Sequence, residues 1–164
     1  GLRQPVIAAI QGPALGGGFE LAMAADLRIA QNNACFALPE TGIATCPGWS
    51  GSARLNKLIN ISLIKELVFT GAQIDSERAL QLGLVNAVCE AGEALKKARS
   101  MADTIAARAP ISVQLSKQMI AANSGENSAL TIEAMASGLS ALSLDAKEGV
   151  NAFFEKRQAE FTGE

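Results

Sequence analysis

Two glutamates and a run of glycines are the residues of this chain best suited to chemistry. Histidine and tyrosine are absent, which removes every Ser-His-Asp or Cys-His mechanism, any His-ligated metal and any tyrosine acid. Chemistry must then come from carboxylates, lysine, cysteine or backbone N–H groups. Gly16-Gly17-Gly18 follows the continuous apolar run Pro5 to Ile10 and opens a small-residue segment that reads as a helix to Ala25. Glycine turns tightly and lets a ligand approach its amide with no Cβ in the way. The first N–H groups of a helix lack internal partners and lie at the positive end of its dipole. Such a turn suits a negative oxygen, either a phosphate or a developing oxyanion. It equally suits a strand-to-helix turn that needs small residues for packing. No P-loop Lys-Ser/Thr follows, so a nucleoside triphosphate is not indicated.

Glu20 stands three residues after Gly17, on the same face of the expected helix. First-turn acids are common for dipole reasons alone. Phe19, Leu21, Ala22 and Met23 surround this one with apolar neighbours, however, and a carboxylate buried there needs a reason. Glu40, in Leu38-Pro39-Glu40-Thr41-Gly42, ends an apolar run where a Gly/Pro-rich loop begins. Taken alone it reads as an ordinary loop acid; taken with Glu20 it admits an acid–base pair. Pro47-Gly48-Trp49 reads as a pocket wall, although Trp49 also suits a core position. Arg54 reads as a structural ion pair, Cys46 as packing, and Phe153, Lys156 and Arg157 as a basic, aromatic helix end.

These residues need elements to hold them. Pro5 to Ile10 has the continuous apolar character of a buried strand. Gly12-Pro13 turns, the glycine run starts a helix, and Asp26 to Ala30 and Ala34 to Leu38 read as strands, an α/β pattern. Thr41 to Gly51 is loop-like. Helices are expected at Ser62 to Phe69 and from an Asp75-Ser76 cap to Gly83, then a strand at Leu84 to Val88. From Glu93 to Phe161 the pattern is amphipathic and helical, broken near Pro110, Asn123 to Asn127 and Ser143. Asp145 with Glu148 reads as a capping box that starts the last helix.

Composition narrows the function. At 164 residues, 49% hydrophobic and 18% charged, the chain can bury a core and is not disordered. A net charge of −2 without a basic block argues against nucleic acid. Apolar stretches are too short for a membrane span. Cys35, Cys46 and Cys89 match no metal motif, and an odd count suits reduced thiols in the cytoplasm or an organellar matrix. The first residue is Gly rather than Met, so the expectation is a chain that begins inside something larger or was processed.

Together, the stretches PVIAAIQGPALGGGFELAMAADLRIA, FALPETGIATCPGWSGSARL, FTGAQIDSERALQLGLVNAV and EGVNAFFEKRQAEF resemble the crotonase (enoyl-CoA hydratase/isomerase) superfamily. They run in family order over nearly the whole chain. The resemblance implies a partial ββα spiral core over residues 1–92 and a helical trimerisation region over 93–164. It implies that Gly17, beside Gly16, supplies one of two N–H groups to a thioester oxygen. Glu20 would activate water, Glu40 would protonate the α-carbon, and Gly48 would help position the water. Phe153 and Lys156 match positions that reach the CoA of a neighbouring subunit. The implied reaction is reversible hydration of a trans-2-enoyl-CoA in acyl-CoA degradation, by a homotrimer or hexamer, with CoA as part of the substrate and no metal or other cofactor. Double-bond isomerisation, or acyl-CoA binding by a catalytically incomplete fragment, are the alternatives. Family members carry a preceding segment with further strands and the second oxyanion N–H. Trp49-Ser50 stands where hydratases more often have small residues, which bears on acyl-chain specificity.

Overall fold

The computed structural model describes residues 2–43, 46–49, 51–122 and 142–164, with all their side chains except those of 43, 52, 53 and 153. The first half follows the alternation of apolar runs and turn signals. It forms β1 (Ile7–Ile10), β2 (Ala14–Leu15), α1 (Gly17–Ala24), β3 (Leu27–Gln31), β4 (Cys35–Ala37) and a 3₁₀ turn (Glu40–Ile43). It continues with α2 (Gly51–Leu55), α3 (Ile61–Thr70), β5 (Ile74–Asp75), α4 (Ser76–Gln81) and β6 (Ala87–Cys89). Three longer helices follow among the described residues: α5 (Ala94–Ala106), α6 (Pro110–Ala122) and α7 (Leu144–Glu155).

The strands make two small sheets. One has the order β1-β3-β6 and is parallel throughout, with Ile7 opposite Leu27 and Ile29 opposite Ala87. The other has the order β2-β4-β5, parallel between β2 and β4 and antiparallel between β4 and β5. The short strands β2 and β5 lie in stretches whose sequence reads only as turn or cap. Phe19 from α1 meets Phe36 from β4 with ring centroids 5.4 Å apart, and both are fully buried with Leu38, Leu55, Ala79 and Leu84. The strand expected from Leu84 starts three residues later. The reason is that the Leu84 and Val85 N–H groups donate to the Ala79 carbonyl, closing the end of α4 instead of joining the sheet. Asp75 caps α4 as expected, accepting from the Arg78 N–H at 2.7 Å.

Arg28, on β3, is a buried cation. Its Nε donates to the Leu84 carbonyl at 2.6 Å and its Nη1 to the Ala25 carbonyl at 2.7 Å. It thereby satisfies two carbonyls outside the sheet, which is how a buried charge is tolerated. Burial pushes its guanidinium below the ordinary value, with nearby Asp26 acting in the opposite direction.

The chain divides into two compact units, Val6–Ser100 and Gly1–Pro5 with Met101–Glu164, so the division falls within α5. In the second unit the cap of α7 differs from the expected box. Ser143 Oγ accepts from the Ala146 N–H at 3.0 Å and is the capping side chain. Asp145, 2% exposed, instead accepts from the Thr162 and Gly163 N–H groups at 2.7 and 2.9 Å. Glu148 accepts from Arg157 and from the Glu160 N–H. The two acids hold the returning C-terminal segment against the helix. Arg157, and then the Glu160 N–H, lower the Glu148 carboxyl to about 2. The break expected at Asn123 to Asn127 lies outside the described residues. No helix among the described residues is long and apolar enough to cross a membrane.

Candidate active site

The site is built around the turn from β2 into α1. Gly16 has φ 53° and ψ −125°, a conformation that a residue with a Cβ rarely adopts. Its N–H donates to the Ala37 carbonyl at 2.9 Å, extending the pairing of Leu15 with Ala37. The turn is thereby tied to β4, and β4 leads through Leu38 and Pro39 directly to Glu40. Thr41 Oγ1 donates to the Val68 carbonyl at 2.8 Å, and the Gly42 N–H donates to the Pro39 carbonyl, so the 3₁₀ turn is held as well. The result is that Glu40 Oε1 lies 3.0 Å from where a Cβ on Gly16 would stand.

Glu40 Oε2 is buried and has no hydrogen-bond partner among the described residues. Leaving a buried acceptor unpaired costs about 1–3 kcal/mol. Such a group calls for an explanation, and a ligand that donates to it is one.

Glu20 reaches the same turn from the other side. It is 3% exposed, and its Oε1 accepts two backbone N–H groups, from Trp49 and Gly51, each at 2.8 Å. These donors come from the loop and the first residue of α2, so the loop after Glu40 returns to clamp the glutamate of α1. The second oxygen of Glu20 takes no part in that clamp. Gly51 has to be glycine for this: a Cβ there would stand 2.6 Å from Glu20 Cγ. Trp49 is pinned on both sides of its peptide, since its carbonyl accepts from Arg54 Nη1 at 2.7 Å. Its indole is 67% exposed, and ring carbon Cζ3 lies 3.0 Å from where a Cβ on Gly17 would be.

Gly16, Gly17, Glu20, Glu40 and Trp49 are therefore brought together. The Gly17 N–H opens α1, where a helix leaves its first donors free of internal partners. Gly48 is an exposed loop residue, and the amides that hold Glu20 belong to its neighbours Trp49 and Gly51. Lys156 lies in the other compact unit, exposed, with φ 54°. The Phe153 side chain lies outside the described residues, as does Ser50. Arg54, read from sequence as an ion pair, donates to the Trp49 carbonyl. Gly51 was not singled out by sequence. The signal was present: a helix that begins on glycine forgoes propensity and so has a reason for lacking a side chain. Cys46 is exposed and free.

A glycine turn at a helix start can bind an acyl oxygen through its N–H, and two carboxylates beside it can hold a water and move protons. Comparison with known proteins identifies the family. A family model described as enoyl-CoA hydratase/isomerase matches residues 2–164. The chain is 44% identical over 163 residues to the short-chain-enoyl-CoA hydratase of Clostridium acetobutylicum, covering 97% of this chain and 62% of that protein. It is 43% identical over 164 residues to the crotonyl-CoA hydratase of Syntrophomonas wolfei, covering 98% of this chain and 62% of that protein. The crystal structure of an enoyl-CoA hydratase from Bacillus anthracis superposes with a TM-score of 0.96 at 41% identity, covering 99% of this chain and 64% of that one. One from Mycobacterium tuberculosis gives 0.95 at 37%, covering 99% and 65%. The chain thus spans less than two thirds of the length of these relatives, and its α/β fold is that of the crotonases. It belongs to the enoyl-CoA hydratase/isomerase family.

Proposed function

We propose that the protein containing this chain adds water reversibly across the double bond of a trans-2-enoyl-CoA, giving a 3-hydroxyacyl-CoA. One observation carries the reading: Glu40 lies against Gly16, while Glu20 binds the backbone of Trp49, whose ring lies against Gly17, so carboxylates from two elements flank one glycine turn. With the thioester oxygen on the Gly17 N–H, the β-carbon becomes electrophilic and the enolate that forms is stabilised. Loss of one such donor typically raises the barrier by about 3–4 kcal/mol. Glu20, oriented by two amides, takes the proton of the attacking water. Glu40, whose Oε2 has no partner among the described residues, delivers a proton to the α-carbon. The atoms balance: water supplies hydroxyl to the β-carbon, and one proton is accepted as another is given. The names of the hydratase relatives support the same reaction. Isomerisation needs one carboxylate, and the presence of two at the turn favours hydration.

The reading calls on no cofactor, because CoA is part of the substrate. Large apolar side chains exposed on the second unit, including Ile120, Val150 and Phe154, support assembly into trimers or hexamers. Free Cys35, Cys46 and Cys89 support a reducing location, the cytoplasm or an organellar matrix. The test is hydration of crotonyl-CoA by the full-length protein, followed as loss of enoyl absorbance, beside Glu20→Gln and Glu40→Gln. Each substitution keeps size and an acceptor oxygen, so folding and CoA binding should persist while turnover falls by about two to four powers of ten. An inactive parent, or variants that retain its activity, would overturn the reading.

A further inference from the structure

Trp49 is held in an unusual way for an aromatic residue. Its backbone is fixed at both ends, by the N–H bond to Glu20 Oε1 and the carbonyl bond from Arg54. Its indole is nevertheless two-thirds exposed, at 67%. The ring edge rests on the Gly17 turn: Cζ3, Cε3 and Cη2 lie 3.0, 3.2 and 3.5 Å from the position of a Cβ on Gly17. An acyl group whose thioester oxygen is on the Gly17 N–H, and whose reacting carbons lie between Glu20 and Glu40, must therefore touch this ring.

We infer that the Trp49 indole is the wall that sets acyl-group size and restricts the site to short acyl groups. The inference rests on the acyl-CoA reading above. The clamp on the Trp49 backbone keeps the ring's point of attachment at the site, so a long tail cannot displace it by moving the loop without also releasing Glu20. The ring can only pivot about its two side-chain torsions. A short acyl group fits between the ring and the glycine turn and covers apolar ring surface that is otherwise wet, which favours binding. Each methylene that fits or fails to fit in such a pocket changes discrimination by about 10–200-fold. Trp49 thus couples two tasks through one residue: its amide orients Glu20 and its side chain measures the acyl group.

The test uses the full-length protein and its Trp49→Phe and Trp49→Ala variants, with thermal melting as a check on folding. Butyryl-CoA and decanoyl-CoA, which lack the double bond and cannot be hydrated, are titrated calorimetrically. Crotonyl-CoA and trans-2-decenoyl-CoA are assayed for turnover. The parent should prefer the short member of each pair by about tenfold or more, Trp49→Ala should lose that preference, and Trp49→Phe should fall between. Both variants keep the backbone amide to Glu20, so the ratio between the two chain lengths, rather than the rate with either alone, reads the ring. Ratios within about twofold of the parent in both variants would overturn the inference, and so would a parent that prefers the long chains. If Trp49→Ala fails to fold, Trp49→Phe decides alone. A shifted binding ratio in a parent that hydrates neither substrate would uphold the wall and sink the hydratase reading. Failure of the parent to bind either saturated thioester would sink both.

Discussion

Gly51 provides the most direct test of how Glu20 is held. A methyl group at this position would begin 2.6 Å from Glu20 Cγ and 2.8 Å from Oε1. Nonbonded carbons pack at about 3.5–4.0 Å, so the glutamate would have to retreat by roughly 1 Å. The amide bonds from Trp49 and Gly51 are 2.8 Å long, and a retreat of that size takes them beyond hydrogen-bonding range. A displacement of about 1 Å in a reacting group costs on the order of a hundredfold in rate, or about 2.7 kcal/mol of barrier. Losing hydrogen bonds to a buried carboxylate should also lower stability, by about 2–4 kcal/mol. Helix propensity predicts the opposite sign, since alanine at a helix position is favoured over glycine by up to about 1 kcal/mol. The assay is crotonyl-CoA hydration and thermal melting of Gly51→Ala beside Gly12→Ala. Gly12 has no atom within 4 Å of an added Cβ and serves as the open-space control. A Gly51→Ala protein that melts at or above the parent and keeps its rate within about threefold would refute the clamp.

Other consequences are simpler to state. Gly16→Ala places a Cβ at φ 53° and 3.0 Å from Glu40 Oε1, so it should destabilise by about 1–3 kcal/mol and lower kcat/KM as well, as melts and rates will show. Arg28→Met removes the donors of the Leu84 and Ala25 carbonyls while keeping an apolar stem, and should cost about 2–4 kcal/mol in denaturant unfolding. Glu148 has a folded value depressed from 4.5 to about 2, so its contribution to stability is present above 4.5 and lost as pH falls toward about 2. The gap in melting temperature between the parent and Glu148→Gln should accordingly narrow across that interval, and a gap independent of pH would refute the assignment.

The sequence exposes some of this architecture and hides the rest for physical reasons. Apolar runs and the glycine turn mark β1, α1, β3 and β4, because local pattern and tertiary role agree there. Leu84 and Val85 look like strand residues but are buried without being in a strand, since their amides go to Ala79. Asp145 and Glu148 have the spacing of a capping box, yet the tail from Arg157 to Gly163 competes for both carboxylates. That competition is set by residues nine to eighteen positions away and leaves no local trace. The same holds at the site. Glu20 and Glu40 stand out as acids in apolar company, whereas the amides that orient Glu20 belong to Trp49 and Gly51 and carry no side-chain signal at all.

The glycines make up for part of that silence. Three of them lie under three site side chains: Gly16 under Glu40, Gly17 under the Trp49 ring, and Gly51 under Glu20. Only Gly16 requires glycine for its backbone angle as well. At Gly17 and Gly51 the backbone conformation is open to other residues, and the constraint is space taken by a side chain from another element. Propensity would favour alanine at both positions, since each begins a helix. The absence of a Cβ there is therefore a tertiary requirement written as a local weakness. Each carboxylate is set against backbone, which has no rotamers to relax into, so neither glutamate can move toward its glycine without displacing a helix start.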